Sequence, residues 1–112
     1  VVQHGGVGGC AEALRAGVPV LTIPFAFDQP DNAMRMRRIG VGAIFPRQKV
    51  NRGSLEQSLR AVLDDTGLAA RARSVAREID PEADMARTVA AIEALHGSLA
   101  QRTPAMLPHA ER

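Results

Sequence analysis

Residues 4–32 read HGGVGGCAEALRAGVPVLTIPFAFDQPDN, and the order of residue types in this stretch decides the fold. A short apolar pair, Val1 and Val2, leads into His4; Gly5, Gly6, Gly8 and Gly9 follow, and helix-forming residues begin at Cys10. That order reads as strand, tight loop, helix start. Glycine permits positive φ and close backbone approach, while the first amides of a helix lack internal partners and lie at the positive end of its dipole. Such a corner binds anions, phosphate foremost.

Downstream, the pattern alternates. Residues 10–16 (CAEALRA) make a short helix that Gly17 stops as a left-handed C′ residue. Val18–Ile23 (VPVLTI) is a nearly continuous β-branched run, the signature of a strand covered on both faces. Pro24 ends it, and residues 25–29 form a loop at the carboxyl end of that strand, where open α/β sheets hold their ligands. Asp28 or Gln29 caps the next helix, with Pro30 in its first turn; Ala33, Met36 and Gly40 share one face, Asp31, Arg35 and Arg38 another. Residues 41–45 (VGAIF) make a third strand, closed by Pro46.

A polar loop over 47–53 precedes a helix whose start is read as a capping box of Ser54 and Gln57, with Leu55, Leu59, Val62 and Leu63 as its buried stripe. After a turn at 64–67, Leu68, Ala72, Val75, Ala76 and Ile79 repeat that stripe. Asp80 and Pro81 then start a further helix carrying Met85, Val89, Ile92, Leu95 and Leu99. From residue 100 to 112 the composition turns to Gln, Arg, Thr and two prolines, the profile of a flexible tail beside a domain of residues 1–99. Strands alternating with helices predict an α/β, Rossmann-like parallel sheet; such sheets usually carry five or six strands, so the others are expected upstream of Val1, in a longer protein of which this is the C-terminal part.

Composition narrows the function. The 112 residues make room for one domain, and 13 Arg and one Lys are interspersed among 12 acids without a basic block, which argues against a nucleic-acid partner. One cysteine excludes an internal disulfide and points to a reducing, cytoplasmic setting. No apolar run approaches the roughly 18 residues of a membrane span, and no export signal is recognisable.

Several chemistries can be set against the glycine corner. Gly6 to Ala11 satisfies G-x-G-x-x-[GA] with Asp28 about 20 residues on, the outline of a dinucleotide-dependent oxidoreductase; against it, Pro24-Phe25-Ala26-Phe27 separate that acid from the end of the second strand. The P-loop reading fails for want of a Gly-Lys-Ser/Thr ending. His4, His96 and His109 are too far apart in sequence to have ligand spacing, so no metal site is expected. Nucleophilic serine chemistry lacks an elbow, because no serine precedes Ser54.

Taken together, His4-Gly5-Gly6, Glu12 eight residues after the histidine, Gly17-Val18-Pro19, Pro24, Asp28-Gln29 and Asn32-Ala33 resemble the donor-binding motif of family 1 nucleotide-sugar glycosyltransferases, the group of UDP-glycosyltransferases and macrolide glycosyltransferases. The resemblance is close over about residues 1–45 and compatible with the remainder. It implies the C-terminal donor domain of a two-domain GT-B enzyme that transfers a hexosyl group, with inversion, from a UDP- or dTDP-sugar to an acceptor hydroxyl. The nucleotide sugar is then a substrate and no further cofactor or metal is needed. The acceptor-binding N-terminal domain, with the general base, would lie outside this chain.

By the same resemblance His4 contacts the donor diphosphate, with Gly5, Gly6, Gly8 and Gly9 supplying close backbone approach. Glu12 binds ribose hydroxyls, and Asp28 with Gln29 grips the transferred sugar. Each role suits its chemistry: an imidazole and helix amides oppose the charge growing on a leaving diphosphate, and a carboxylate accepts from two adjacent hydroxyls. Two departures stand out. The family usually carries Ser or Thr where this chain has Gly9, and the chain has neither Trp nor Tyr to stack on a base, so uridine and thymidine are not distinguished. A non-catalytic nucleotide-sugar-binding module, or an inactive truncated product, would show the same residues.

Overall fold

A computed structural model describes residues 1–102. Residues Val1–Ile79 form one compact unit, and a second begins at Asp80. In the first, strands β1 (Val2–Gln3), β2 (Val20–Thr22) and β3 (Gly42–Ile44) make a parallel sheet in the order β1-β2-β3. Helices α1 (Val7–Ala16) and α2 (Gln29–Arg38) are the crossovers between them; α3 (Arg52–Asp64) and α4 (Thr66–Glu78) follow a 3-10 turn at Arg47–Lys49. The register pairs Val2 with Leu21, Gln3 with Thr22, and Leu21 with Ala43.

All three residues of β2 are buried, as its apolar run predicts, because helices cover both faces. Side chains alternate along a strand, so Val20 and Leu21 point to opposite layers. Val20 joins Cys10 and Ala13 of α1, Met36 of α2, Val41, and Ala72 of α4 in one core cluster. Leu21 joins Phe45 and Val62 of α3 in the other, with Leu55, Leu59 and Leu68 packed against it. Both crossover helices thus lie on one face, as successive right-handed β-α-β connections require. The corners after β1 and β2 therefore open at the same carboxyl edge.

Gly17 closes α1 with φ 66, and its N–H donates to the carbonyls of Ala13 and Leu14. The missing side chain also matters for packing, since a Cβ there would lie 3.1 Å from the Cβ of Ala76 on α4. Ala33 and Met36 are buried on one face of α2, while Asp31 and Arg35 pair at 2.7 Å on the exposed one.

The structure departs from the sequence reading at several boundaries. Helix α1 starts at Val7 rather than Cys10, so Gly8 and Gly9 lie inside its first turn. Two helical glycines cost roughly 1 kcal/mol each, which burial of Cys10 and Ala13 outweighs. The capping box belongs to Asn51 and Ser54, not Ser54 and Gln57: Asn51 Oδ1 accepts from Ser54 N at 3.0 Å, and Asn51 N donates to Ser54 Oγ at 3.3 Å. Asparagine and serine are comparable N-caps, and the reciprocal pair that Asn51 makes with Ser54 sets the helix three residues earlier. Leu63, expected in the stripe, is 78% exposed.

In the second unit, α5 (Pro81–Arg102) begins as expected, with Asp80 Oδ1 accepting from Ala83 N at 3.0 Å. Its apolar residues Met85, Val89, Ile92 and Leu95 are exposed. The helix includes residues 100–102; the rest of the expected tail, 103–112, lies outside the described residues. No helix among the described residues is long and apolar enough to cross a membrane.

Candidate functional site

The corner after β1 is built by Gly5 and Gly6. Gly5 takes φ 97, which L side chains rarely adopt, and it is buried. A Cβ on it would stand 2.9 Å from the carbonyl oxygen of Gln29 and 3.0 Å from Thr22 Cγ2, so only glycine lets the first corner meet the start of α2. Gly6 is the N-cap of α1 in extended conformation, with no side chain to satisfy the helix amides. Its carbonyl accepts from Cys10 N, while the amides of the first turn are left for a ligand or water.

His4 stands at the end of β1, exposed, with Nε2 2.7 Å from the point where a Cβ on Gly6 would be. The imidazole therefore folds over the glycine corner instead of turning into the core. Around Gly8 the space is open: a Cβ there would meet nothing within 4 Å. Gly9 is different, because Gln3 Oε1 lies 2.4 Å from the corresponding position. The Gln3 carboxamide fills that volume; its Nε2 donates to Cys10 Sγ at 3.4 Å, and its buried Oε1 has no partner among the described residues.

The second corner is tied to the first by Asn32. Its Nδ2 donates to Gly5 O and to Asp28 Oδ2, both at 2.9 Å, spending both amide hydrogens on the link. Asp28 occupies the N-cap position of α2 but caps no backbone amide, contrary to the sequence reading. The Asn32 bond takes its carboxylate, and its other oxygen has no partner among the described residues. Gln29 holds the loop: Oε1 accepts from Phe25 N at 2.9 Å and Ala26 N at 3.2 Å. What remains of its amide is the Nε2 donor, because the oxygen already accepts from two loop amides.

Glu12 is exposed on α1, about 7.5 Å along the axis from Val7 at 1.5 Å per residue. Its carboxylate makes no hydrogen bond or ion pair with another candidate side chain among the described residues. The structure thus brings together His4, Gly5, Gly6, Asp28 and Gln29 at one edge, with Glu12 further along the same helix that the glycines begin. Asn32 and Gln3, which the sequence reading left without roles, supply the link and the filler. Among the described residues no three His, Cys, Asp or Glu side chains converge as a metal site would need.

A parallel sheet with a glycine corner, an imidazole over it and a tethered Asp-Gln pair at the same edge is the arrangement against which known proteins can be compared. Residues 1–95 match the family described as erythromycin biosynthesis protein CIII-like, C-terminal domain. This chain belongs to that family. It is the C-terminal domain type of family 1 glycosyltransferases.

An O-mycaminosyltylonolide 6-deoxyallosyltransferase of Streptomyces fradiae is 38% identical over 94 residues, covering 83% of this chain and 22% of that protein. A sterol 3-beta-glucosyltransferase of Kluyveromyces lactis is 37% identical over 91 residues, 81% of this chain and 7% of that one. Among solved structures, the spinosyn rhamnosyltransferase SpnG complexed with thymidine diphosphate superposes with a TM-score of 0.65 at 32% identity, covering 80% of this chain and 25% of that chain. The family member described here therefore spans a quarter or less of these relatives' lengths.

Proposed function

We propose that the whole protein transfers a hexosyl group from a nucleoside diphosphate sugar, UDP- or dTDP-linked, to an acceptor hydroxyl with inversion, and that this family domain is its donor-binding half. The observation that carries the reading is the single edge on which His4 covers the Gly5-Gly6 corner while Asn32 fastens Asp28 to that same corner. That the relative SpnG is complexed with thymidine diphosphate supports a nucleoside diphosphate as the ligand.

In this reading the diphosphate lies against the free amides at the start of α1, beside His4. The acceptor oxygen attacks the anomeric carbon from the face opposite the diphosphate; the new C–O bond forms as the bond to the phosphate oxygen breaks. The acceptor proton passes to a base in the other domain, and the nucleoside diphosphate leaves. Charge grows on its phosphate oxygen during this step, and preoriented amides, the helix end and the imidazole stabilise it most where it is largest. Asp28 accepts from a sugar hydroxyl through its unpartnered oxygen, Gln29 donates through Nε2, and Glu12 accepts from the ribose.

The test is sugar transfer by the full-length protein with UDP- and dTDP-sugars, in parallel with NAD titration. His4→Ala is expected to lower kcat by about 10- to 1000-fold, the range for one lost charge-stabilising donor. Wild-type turnover in that variant removes His4 from the mechanism. Preference for NAD overturns the reading altogether.

A further inference from the structure

Gly6 caps α1, and Gly8 and Gly9 stand second and third in it, so Val7 carries the one side chain between the cap and Cys10. Two glycines in a first turn leave it with little stiffness of its own. What braces it comes from the end of β1. The atoms nearest to the place of a Cβ on Gly6 all belong to His4, and nothing stands within 4 Å of that place at Gly8. At Gly9 it is Gln3 that fills it, with Oε1 at 2.4 Å and Cδ at 3.5 Å. Two consecutive strand residues thus lend side chains to a turn that lacks them.

Shape, not hydrogen bonding, sets the place of the Gln3 carboxamide. Its Nε2 makes a long 3.4 Å bond to Cys10 Sγ, and its Oε1 is closed to solvent without a partner among the described residues. Thr22 is its register partner, with its side chain on the same face of the sheet, and Thr22 Oγ1 is the one other buried polar atom there without a partner. These neighbours do not bond to each other; the carboxamide is turned to α1 instead. Because Oε1 is already shut in by atoms of this domain, no group from outside the domain supplies the missing bond.

Resting on the donor reading above, we infer that Gln3 is a positioning residue for the diphosphate. Acting through Gly9, its carboxamide wedges the first turn of α1 against β1 and keeps the amides of Gly8 and Gly9 aimed at one place before a ligand arrives. Amides that need no reordering bind an anion, and stabilise charge growing on it, better than amides on a loose turn. The glycines leave room for close approach, and the strand returns the rigidity they lack.

The experiment uses the full-length protein, with calorimetric titration of UDP and dTDP, sugar transfer for kcat, and thermal melting. Gln3→Ala removes the wedge: the Kd for nucleoside diphosphate is expected to rise at least about fivefold, and kcat to fall with it. Gln3→Met keeps the volume and strands no oxygen, so Kd and kcat should stay within about twofold of the parent, with a Tm equal or higher. Gln3→Ala/Gly9→Ala stiffens the turn from the helix side and should recover most of the lost affinity. A Gln3→Ala protein with a lower Tm but parental Kd and kcat overturns the inference, because a merely structural residue behaves that way. A double variant no better than Gln3→Ala overturns it too. So does a Gln3→Met protein as impaired as Gln3→Ala, which assigns the carboxamide's polar atoms to the ligand. If the parent binds UDP or dTDP and Gln3→Ala binds equally well, only this inference fails; if the parent binds neither, the donor reading itself fails.

Discussion

Replacing Gly5 by alanine adds one methyl group at the glycine of the candidate site whose Cβ would press on main chain. Two penalties add. The residue sits at φ 97, where a side chain costs about 1–3 kcal/mol. The new Cβ would also stand 2.9 Å from a backbone oxygen of Gln29 and 3.0 Å from Thr22 Cγ2, and overpacking of this sort costs about 1–3 kcal/mol. Neither neighbour can swing aside, since one is main chain at the start of α2 and the other belongs to a residue only 1% exposed. The sum is about 2–6 kcal/mol, which corresponds to a Tm lower by roughly 4–24 °C at about 2–4 °C per kcal/mol.

Gly9→Ala supplies the contrast. Its Cβ would meet Gln3 Oε1 at the shorter distance of 2.4 Å, yet that atom is the end of a flexible side chain. Moving it sacrifices a weak bond to Cys10 Sγ and a rotamer worth about 0.5–1.5 kcal/mol, while it frees an oxygen buried without a partner and gains about 0.5–1 kcal/mol of helix propensity. The two sides nearly cancel. Thermal melting of the two full-length variants is the assay, and the shorter contact should be the harmless one. A Gly5→Ala protein melting within about 3 °C of the parent, or a Gly9→Ala protein falling further than Gly5→Ala, refutes the reasoning.

Three further substitutions separate ligand roles from structural ones. Gly8→Ala, whose Cβ meets nothing within 4 Å, should raise stability by about 0.5–1 kcal/mol and, if a diphosphate lies there, weaken UDP or dTDP binding in a calorimetric titration. Asn32→Ala removes both bonds between the corners and should cost about 1–3 kcal/mol in urea unfolding, with a higher donor KM because Asp28 is released. Glu12→Ala, at an exposed position, should leave stability within about 0.5 kcal/mol and raise the donor KM with kcat unchanged, as lost uniform binding does.

Legibility in the sequence followed the range of the interaction. The buried β2 could be read from its β-branched run, and the stop of α1 from Gly17, because each depends on neighbours within a few residues. The start of α1 could not: whether Gly8 and Gly9 lie in a loop or a helix depends on Cys10 and Ala13 packing against β2 and α2, contacts that local propensity does not carry. Leu63 failed for a related reason. It has the right period but sits at the margin of the stripe, and Val62 takes the place against Leu21 and Phe45.

In the candidate site, residue types were legible and pairings were not. The motif placed Asp28 and Gln29 at the ligand edge, but which of their atoms remain for a ligand depends on Asn32 and on the amides of Phe25 and Ala26. Gln3 shows the same limit from the other side. Position 9 looked deficient, a glycine where relatives of the motif carry a hydroxyl, until the fold put the Gln3 carboxamide in the vacated volume. Absence of a side chain in the sequence was therefore not absence of a group in space. The Gly9 corner also contains the site's one orphaned buried carboxamide oxygen among the described residues, so polar compensation there is incomplete where steric compensation is full. A corner that fills its space from the strand instead of from the helix keeps the helix amides bare, so in the proposed reading the diphosphate falls to backbone and His4.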